Sequence, residues 1–340
     1  MSAMASEPRT HREVRLLRPI AGAMREHDFG VVTVQTRAPG EGEVEVENQF
    51  LSVDPWMRES AEVGQAMIPE HLVFRPGRPL LGAAVGRVVA SRDPAVAPGQ
   101  LVQSMLGFRE RFTAPADEVQ VIDQDGLPAR LFLGVLGVTG LTAWVGIRLG
   151  EVRAGDTVFV SAASGAVGSI ACQLAVQRGA RVIASAGGAE KGAFVRTLGV
   201  DAVIDHRREP DLRAALAAVA PEGLDVYFDN VGGRHLAAAV DATRPEARIV
   251  LCGKLSTYDP AEDEAPDLGL AIPRSLRFVG FSVRRHLHEL DAFRRELGDL
   301  VRDGRIHAPD TIEDGLDAAP RALMRVLSGD KLGKMLVRVG

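Results

Sequence analysis

Residues 158–191 constrain the fold more than any other stretch of the 340-residue chain. A β-branched run at Val158–Val160 leads into a turn of small residues, 163–168, and a helical apolar pattern follows as far as Gly179. A second apolar run, Arg181–Ala186, completes a strand–helix–strand unit. This pattern predicts a βαβ unit of the dinucleotide-binding type.

The turn inside this unit has the chemistry that a pyrophosphate requires. Ala163, Gly165 and Gly168 follow the spacing of a glycine-rich phosphate loop, with alanine in the first place. Small side chains let the backbone approach the ligand, and main-chain N–H groups at a helix N-terminus attract an anion. A tight turn without a ligand is the alternative, and the two flanking strands favour the nucleotide.

The rest of the sequence predicts two kinds of architecture. Between residues 13 and 126, short apolar runs alternate with Gly and Pro turns, which indicates an irregular β domain. From about residue 131, strands alternate with helices, which indicates a parallel sheet. We therefore expect an α/β protein with a β domain at 1–130, a doubly wound nucleotide-binding domain at 131–304 and a C-terminal return to the β domain at 305–340.

Composition and charge exclude several classes of partner. The net charge of −5 and the isoelectric point near 6.0 provide no basic surface for nucleic acid or for an anionic membrane. The first 19 residues lack the apolar core of a secretory signal. The uncharged run Leu131–Ile147 is short for a membrane span and contains four glycines, so we expect a buried segment. A cytoplasmic protein is the resulting prediction.

The cysteines and histidines do not form a pattern typical of a metal site. Cys172 and Cys252 both lie in apolar runs and are predicted to be core thiols. His286 and His288 are close in sequence, but their i, i+2 spacing places them on different sides of a helix. We expect no metal and interpret the two histidines as surface residues.

The residues after the second strand of the βαβ unit favour NADP(H) over NAD(H). An acidic residue at this position would bind the ribose hydroxyls of NAD, whereas this strand ends in Ala186, Gly187 and Gly188. Lys191 follows at the start of the next helix. Loss of the carboxylate together with a nearby cation favours a 2′-phosphate, and a solvated surface lysine is the alternative.

Several longer strings extend the argument beyond a single turn. They are Leu51–Arg58 (LSVDPWMR), Gly134–Ala143 (GVLGVTGLTA), Ser161–Gly168 (SAASGAVG), Asp225–Gly233 (DVYFDNVGG), Ile249–Gly253 (IVLCG), 256–259 (STYD) and Leu332–Lys334 (LGK). Over nearly its whole length the chain resembles the zinc-independent medium-chain dehydrogenases/reductases. Within that family it is most similar to the NADPH-dependent alkenal/one reductases, which include prostaglandin, plant double-bond and curcumin reductases.

The resemblance implies a fold and a reaction. The fold is a Rossmann domain plus a GroES-like, barrel-like catalytic domain, and many relatives are homodimers joined through the edge strand near Arg277–Val283. The reaction is reduction of the activated C=C bond of an α,β-unsaturated aldehyde or ketone, with hydride passing from NADPH to the β-carbon.

The resemblance also implies roles for individual residues. The pyrophosphate is expected to meet Gly165, Ala166, Val167 and Gly168. The 2′-phosphate and adenine ribose are expected to meet Gly187, Lys191 and His206. The nicotinamide side is expected to meet Asn230, Cys252, Gly253, Phe281, Ser282, Val283 and Lys331. The cleft between the domains, where substrate would bind, is expected to be lined by Trp56 and Arg58.

Four positions depart from the family pattern. Trp56 and His206 each stand where tyrosine is usual, and partial protonation of His206 would assist phosphate binding. Pro273 replaces a tyrosine thought to act on the enolate, and Lys331 replaces an asparagine beside the nicotinamide. The substrate range of the relatives therefore does not transfer directly.

The chain has two tyrosines with different expected roles. Tyr227 lies within a predicted buried strand and is interpreted as structural. Tyr258 lies in a loop after a strand end, where such folds bind their ligands, so we predict a cofactor contact and the donor to the enolate oxygen. A wall residue without a catalytic role is the alternative for Tyr258.

Three other functions stay open at this point. A quinone reductase would share the fold and NADPH. A zinc alcohol dehydrogenase is disfavoured because residues 13–126 contain no cysteine. A non-catalytic NADPH-binding module is the third.

Overall fold

The computed structural model describes residues 9–20, 22–62, 69–258 and 264–340. The chain divides into two compact units, one formed by residues up to Leu133 together with Asp310–Gly340 and the other by Gly134–Pro309. The limits of these units differ by a few residues from the domain limits predicted from the sequence, which were 1–130, 131–304 and 305–340. We propose the predicted limits as the domain boundaries.

Fifteen strands and nine α-helices are found in the described part of the chain. The strands are β1 (Thr10–Leu16), β2 (Phe29–Gln35), β3 (Glu43–Ser52), β4 (Ala84–Ser91), β5 (Leu101–Ser104), β6 (Arg111–Pro115), β7 (Gln120–Val121), β8 (Thr157–Val160), β9 (Arg181–Ser185), β10 (Ala202–Ile204), β11 (Leu224–Asp229), β12 (Thr243–Leu251), β13 (Arg277–Gly280), β14 (Asp310–Asp314) and β15 (Lys334–Arg338). The helices are α1 (Trp56–Ala61), α2 (Val138–Leu149), α3 (Gly168–Gln177), α4 (Ala189–Arg196), α5 (Leu212–Val219), α6 (Gly233–Asp241), α7 (Ala271–Arg274), α8 (Leu290–Arg302) and α9 (Ala319–Leu327).

The first unit is built on a seven-stranded mixed sheet. Its strands run in the order β14-β15-β3-β4-β5-β7, with β6 paired to β3, and β1 pairs separately with β2. The C-terminal strand β15 is antiparallel to β3 and parallel to β14, so the end of the chain completes this sheet. A core of fully buried side chains, including Leu51, Met57, Phe108 and Leu323, packs beneath it.

The second unit is a six-stranded parallel sheet. Its strand order, β10-β9-β8-β11-β12-β13, is the order 3-2-1-4-5-6 of a doubly wound fold. Val158, Phe159 and Val160 are completely buried, as expected for a parallel strand covered by helices on both faces. The order reverses between β8 and β11, and ligands of such sheets bind at the carboxyl ends of the strands at this point. The predicted fold class is confirmed.

Some elements differ in length from the prediction. The apolar run Arg248–Gly253 predicts a strand that begins at Arg248. Strand β12 begins five residues earlier, at Thr243, because it continues along β11 past an irregularity in the register. Strand β13 ends at Gly280 rather than Val283, where a 3₁₀ helix begins. An apolar stripe at helical spacing predicts a single helix in the sequence, but the structure divides this stripe between that 3₁₀ helix, Val283–Glu289, and α8. The stripe consists of Leu287, Leu290, Phe293, Leu297, Leu300 and Val301.

Two further predictions concern absent features. No helix in the described residues is long and apolar enough to span a bilayer. The same residues contain no cluster of three or more His, Cys, Asp or Glu side chains that would suit a metal ion.

Cys172 is completely buried, in agreement with its interpretation as a core thiol, and Cys252 is half-buried.

Candidate active site

The glycine turn between β8 and α3 has no room for a side chain at its last glycine. A Cβ on Gly168 would lie 2.4 Å from the carbonyl oxygen of Ala162. Ala162 itself has a φ of 48°, in the left-handed region that non-glycine residues rarely adopt. Its carbonyl accepts the Gly165 N–H at 2.9 Å and closes the turn. The close packing of backbone on backbone explains why position 168 requires glycine.

The hydrogen bonds of the turn indicate which main-chain N–H groups face a pyrophosphate. The N–H of Gly165 donates to the Ala162 carbonyl inside the turn, and the role of Gly165 at the pyrophosphate stays a prediction. Ala166 and Val167 are half-buried and immediately precede α3. Their N–H groups therefore stand at a helix N-terminus, where an anion is favoured.

A buried polar network closes the carboxyl ends of β8 and β11. Asp229 is 1% exposed, and its Oδ1 accepts hydrogen bonds from the Tyr227 hydroxyl at 2.7 Å and from the N–H groups of Val231 and Gly232 at 2.9 and 2.8 Å. Burial raises the pKa of Asp229 above its ordinary value, in spite of these donors. The Tyr227 and Ser161 hydroxyl oxygens also lie 3.0 Å apart, and these buried contacts agree with the predicted structural role of Tyr227.

Asn230 is held rigidly beside this network. Its backbone N–H donates to Ser161 Oγ at 2.9 Å, and its side-chain Nδ2 donates to the Ser161 carbonyl at 2.8 Å. Both Cys252 and Gly253 donate their N–H groups to the Asp229 carbonyl, at 2.9 and 3.0 Å. A Cβ on Gly253 would lie 2.7 Å from the Asn230 carbonyl oxygen. The structure therefore brings together three of the residues predicted for the nicotinamide side.

The environment of Cys252 disfavours the thiolate form of its side chain. Burial, together with the nearby Asp229 carboxylate, raises its pKa to about 12. A thiol with this pKa stays protonated at neutral pH, and only the thiolate is reactive. The position is suited to packing and to main-chain contacts.

Gly187 creates space between two side chains that follow β10. A Cβ on Gly187 would lie 2.8 Å from Nε of Arg207 and 3.0 Å from Nε2 of His206. The Asp205 carboxylate is also nearby, but it accepts the N–H groups of Gly188 at 2.9 Å and Arg207 at 3.2 Å. The Asp205 carboxylate thus stabilises the turns at Gly188 and Arg207. It does not take the place of the acidic residue after β9 that would bind the ribose hydroxyls of NAD.

The predicted partial protonation of His206 is wrong for this environment. Burial, Arg234 and Arg207 together lower the pKa of His206 to about 4, so its ring is neutral at physiological pH. Positive charge at this end comes instead from Lys191 and from two arginines that the sequence reasoning missed. Arg207 directly follows His206, and Arg234 at the start of α6 donates Nη2 to the His206 carbonyl at 2.8 Å. The basic residues at 207 and 208 and the position of Arg234 after Gly233 were the available signals.

The segment after β13 carries three more predicted nicotinamide residues. Phe281 is half-buried, and its ring lies 6.3 Å from the His286 ring. A Cβ on Gly146 would lie 3.2 Å from the tip of the Phe281 ring, so the glycine of α2 gives the phenyl group its space. Ser282 precedes the 3₁₀ helix that begins at Val283, and its carbonyl accepts the Arg285 N–H.

The first unit positions Trp56 and Arg58 on the short helix α1. The Trp56 ring lies 6.2 Å from the Phe74 ring, and Arg58 Nε donates to Glu62 Oε1 at 2.8 Å. Just before the helix, Asp54 accepts a hydrogen bond from Lys334 Nζ at 2.8 Å. Two of the sequence strings, 51–58 and 332–334, therefore meet in an ion pair whose lysine is 4% exposed.

Three residues named in the sequence analysis remain to be located, and they are Lys331, Tyr258 and Pro273. Lys331 Nζ donates to the Gly333 carbonyl within its own turn at 2.9 Å. The backbone of Tyr258 ends a 3₁₀ turn, Leu255–Tyr258, after β12, and its side chain lies outside the described residues. Pro273 lies within α7, where it offers no hydroxyl group.

The parallel sheet, its order and the glycine turn at the end of its first strand define a Rossmann-type nucleotide-binding unit joined to a second, β-rich unit. Two family models match the chain: one described as zinc-binding dehydrogenase covers residues 166–298, and one described as the N-terminal domain of oxidoreductase covers residues 12–122.

Full-length relatives agree with these matches. The chain is 33% identical to the tobacco (Nicotiana tabacum) 2-alkenal reductase (NADP(+)-dependent) over 98% of this chain and 99% of that protein. It is 34% identical to mouse (Mus musculus) prostaglandin reductase 1 over 93% of this chain and 95% of the relative. The crystal structure of CurA from Vibrio vulnificus in complex with NADPH superposes with a TM-score of 0.89 at 30% identity, over 97% of this chain and 99% of CurA. The chain therefore belongs to the zinc-independent medium-chain dehydrogenases/reductases, in the alkenal/one reductase group.

Proposed function

We propose that this protein is an NADPH-dependent reductase of the activated C=C bond of α,β-unsaturated aldehydes and ketones, acting in the cytoplasm. The observation that carries the proposal is the glycine turn at Gly168 next to the polar network of Asp229 and Asn230, at the switch point of the parallel sheet. The relatives named as an NADP(+)-dependent alkenal reductase and a prostaglandin reductase support the same class of reaction.

The residues present fit NADPH along the edge of the sheet. Ala166 and Val167 would bind the pyrophosphate through main-chain N–H groups, with Gly168 allowing the close approach. Lys191, Arg207 and Arg234 would surround the 2′-phosphate with positive charge. Asn230 and the segments at 252–253 and 281–283 would border the nicotinamide. When bound, the cofactor supplies the hydride that the β-carbon of the substrate accepts.

The protein's contribution to the chemistry is orientation and charge stabilisation. Asn230 is fixed by two hydrogen bonds to Ser161, so a ring placed against it would be held in one orientation. Negative charge develops on the carbonyl oxygen of the substrate as its β-carbon is reduced, and a hydrogen-bond donor near that oxygen lowers the barrier. We assign this role to Tyr258 and assign substrate contacts to Trp56 and Arg58.

A substrate panel tests the reaction class. The full chain is assayed with NADPH and either 2-nonenal or 1,4-naphthoquinone, and NADPH absorbance is followed. We expect a kcat/KM at least about tenfold higher for the enal, equivalent to about 1.4 kcal/mol of transition-state stabilisation. A higher value for the quinone would establish the quinone-reductase alternative. Tight NADPH binding without oxidation in either assay would establish the non-catalytic alternative.

The Lys191→Ala variant tests the end of the site that selects the cofactor. Loss of a cation beside a phosphate should raise the KM for NADPH by about tenfold and leave that for NADH within about twofold. Arg196→Ala, in the same helix α4 but on its exposed side, is the matched control and should change neither value. Equal effects of Lys191→Ala on both cofactors would contradict the assignment.

The Tyr258→Phe variant tests the proposed donor to the enolate oxygen. We expect kcat/KM for 2-nonenal to fall by more than about threefold, equivalent to about 0.65 kcal/mol. A smaller loss would remove Tyr258 from the mechanism and leave water or the cofactor ribose as the donor.

We also propose a homodimer that forms through β13. This strand is the outer strand of the parallel sheet, and Leu268 and Ile272, in the segment before it, are 58% and 84% exposed. Open strand edges and exposed apolar groups favour association. Sedimentation equilibrium should give about twice the chain mass of 36.3 kDa, and a single-chain mass would refute the dimer.

A further inference from the structure

A serine hydroxyl links the buried His235 to the half-buried His206 at the adenosine end of the site. Ser185 Oγ, at the end of β9, lies 3.1 Å from Nδ1 of His206 and 3.1 Å from Nε2 of His235. The two rings meet edge to face with their centroids 5.1 Å apart. A hydroxyl group has one proton, so Ser185 donates to one of these rings and accepts from the other.

Both rings are neutral, so the position of each ring proton matters. Burial is the main cause that lowers the pKa of His235 to about 3 and that of His206 to about 4. A neutral imidazole has one N–H donor and one bare nitrogen acceptor. The chain His206–Ser185–His235 therefore has two possible arrangements of protons, and they present opposite groups at the outer nitrogen of His206.

The inner nitrogen of His235 favours one of these arrangements. His235 is 2% exposed, and its Nδ1 has no hydrogen-bond partner among the residues that the structure describes. If Ser185 donated to His235 Nε2, the proton of that ring would sit on Nδ1 as a buried N–H without an acceptor. Orphaned buried N–H groups are rarer than under-satisfied acceptors. His235 therefore carries its proton on Nε2 and donates it to Ser185.

The tautomer of His235 determines which ring nitrogen of His206 carries its proton. Ser185 then donates its proton to His206 Nδ1, which leaves the proton of His206 on Nε2. That nitrogen faces the space kept open by Gly187, because a Cβ on this glycine would lie 3.0 Å from it. His206 thus presents a neutral N–H donor beside the guanidinium of Arg207.

We propose that Ser185 and His235 are positioning residues that hold His206 as a neutral Nε2–H donor to the adenosine 2′-phosphate of NADPH. The inference rests on the proposed NADPH site. Lys191, Arg207 and Arg234 supply the charge, and His206 supplies a directed hydrogen bond.

A matched pair of substitutions at His206 tests the position of the donor. In His206→Gln the amide nitrogen occupies roughly the place of Nε2, and in His206→Asn it occupies roughly the place of Nδ1. The probes are adenosine 2′,5′-bisphosphate, which carries the 2′-phosphate, and 5′-AMP, which lacks it. We expect His206→Asn to raise the Kd of the bisphosphate about tenfold, the effect of losing one hydrogen bond to a charged group, and His206→Gln to raise it by less than about threefold. Neither variant should change the Kd of 5′-AMP.

Nuclear magnetic resonance gives an independent readout of the tautomers. Long-range ¹H–¹⁵N spectra of the full chain, labelled with ¹⁵N-histidine, should show both His206 and His235 protonated on Nε2. His235→Phe should release the constraint, give mixed tautomers at His206 and weaken bisphosphate binding about threefold. His235→Gln restores a donor to Ser185 and should return the His206 tautomer and the affinity for the bisphosphate towards those of the wild type. Melting temperatures identify any variant that fails to fold.

The results of these experiments distinguish a failure of this inference from a failure of the proposed NADPH site. Equal affinities of the wild type for the bisphosphate and 5′-AMP would overturn both the 2′-phosphate site and the inference. A clear preference for the bisphosphate that Lys191→Ala abolishes, together with equal behaviour of the Gln and Asn variants, would overturn the inference alone. An Nδ1–H tautomer at His206 would also overturn it.

Discussion

The two ends of the six-stranded sheet differ in the charge state that their buried polar side chains favour. At the amino end, Arg248 is 5% exposed, donates Nη2 to Asp156 Oδ2 at 2.9 Å and donates Nη1 to the Glu151 carbonyl at 2.8 Å. At the carboxyl end, burial lowers the pKa of His235 and raises that of Asp229, so both side chains shift toward their neutral forms. The two sets belong to the same sheet and are similarly buried.

The difference shows what each end is built to do. A buried charge is tolerated when a partner and further hydrogen bonds compensate for the lost water, as they do for Arg248. Such a saturated site stabilises the fold and has little capacity for a ligand. The carboxyl end instead combines a neutral buried histidine, His235, with main-chain N–H groups near Ala166 and with cations at its rim. An anionic ligand is the partner that this combination fits.

The largest expected effect comes from breaking the saturated end. Arg248→Leu leaves the Asp156 carboxylate buried without its partner and should lower the free energy of unfolding by about 3 kcal/mol. Urea unfolding followed by circular dichroism measures this loss. NADPH affinity of the folded variant should stay unchanged.

A matched ion pair at the same end provides the control. Arg277 pairs with Glu151, and both side chains are about half exposed, so Arg277→Leu should cost less than about 1 kcal/mol. Equal losses in the two variants would show that burial does not distinguish the pairs and would contradict the comparison.

The second prediction concerns the ligand-binding end. Gly168→Ala places a Cβ 2.4 Å from the Ala162 carbonyl oxygen, so the turn must shift. We expect the Kd for NADPH to rise by about 100-fold, since displacement of a binding loop by about 1 Å has effects of this size. Fluorescence titration measures the affinity.

Gly298→Ala is the control for an added methyl group. A Cβ at this position in α8 would meet only the Arg302 side chain at 3.7 Å, and alanine suits a helix better than glycine. This variant should bind NADPH like the wild type and be slightly more stable. If both alanine variants bound NADPH normally, the glycine turn would not be the phosphate site.

The smallest expected effect is a pH dependence at the neutral end. The pKa of His235 is about 3 in the folded protein and about 6.5 for an unfolded histidine, so the unfolded state binds the extra proton between these values. Stability contributed by neutral His235 is therefore complete above pH 6.5 and falls as the pH decreases. At pH 5.5 the wild type should lose about 1 kcal/mol that His235→Gln does not lose.

The measurement compares unfolding free energies of wild type and His235→Gln at pH 7.5 and 5.5. His288→Gln, which removes a ring that is 75% exposed, is the matched control. An identical pH dependence of the wild type and His235→Gln would mean that this histidine is not buried as a neutral ring.

Local patterns were enough to predict most of the nucleotide-binding unit. The strand–turn–helix pattern at 158–179 gave the right elements because apolar periodicity and glycine punctuation are local properties of the chain. The lengths of β12 and β13 were less well predicted, since pairing with a neighbouring strand decides where a strand ends.

The candidate site was predictable in its parts but not in its charges. The sequence itself determined the glycine at 168, the missing acid after β9 and the lysine at 191, because each depends on residue type at a fixed offset from a strand. Only the tertiary structure decided that His206 is neutral and that Arg234 lies against its backbone. Burial and proximity between β9, β10 and α6 set that pKa, and these elements meet only in the folded sheet.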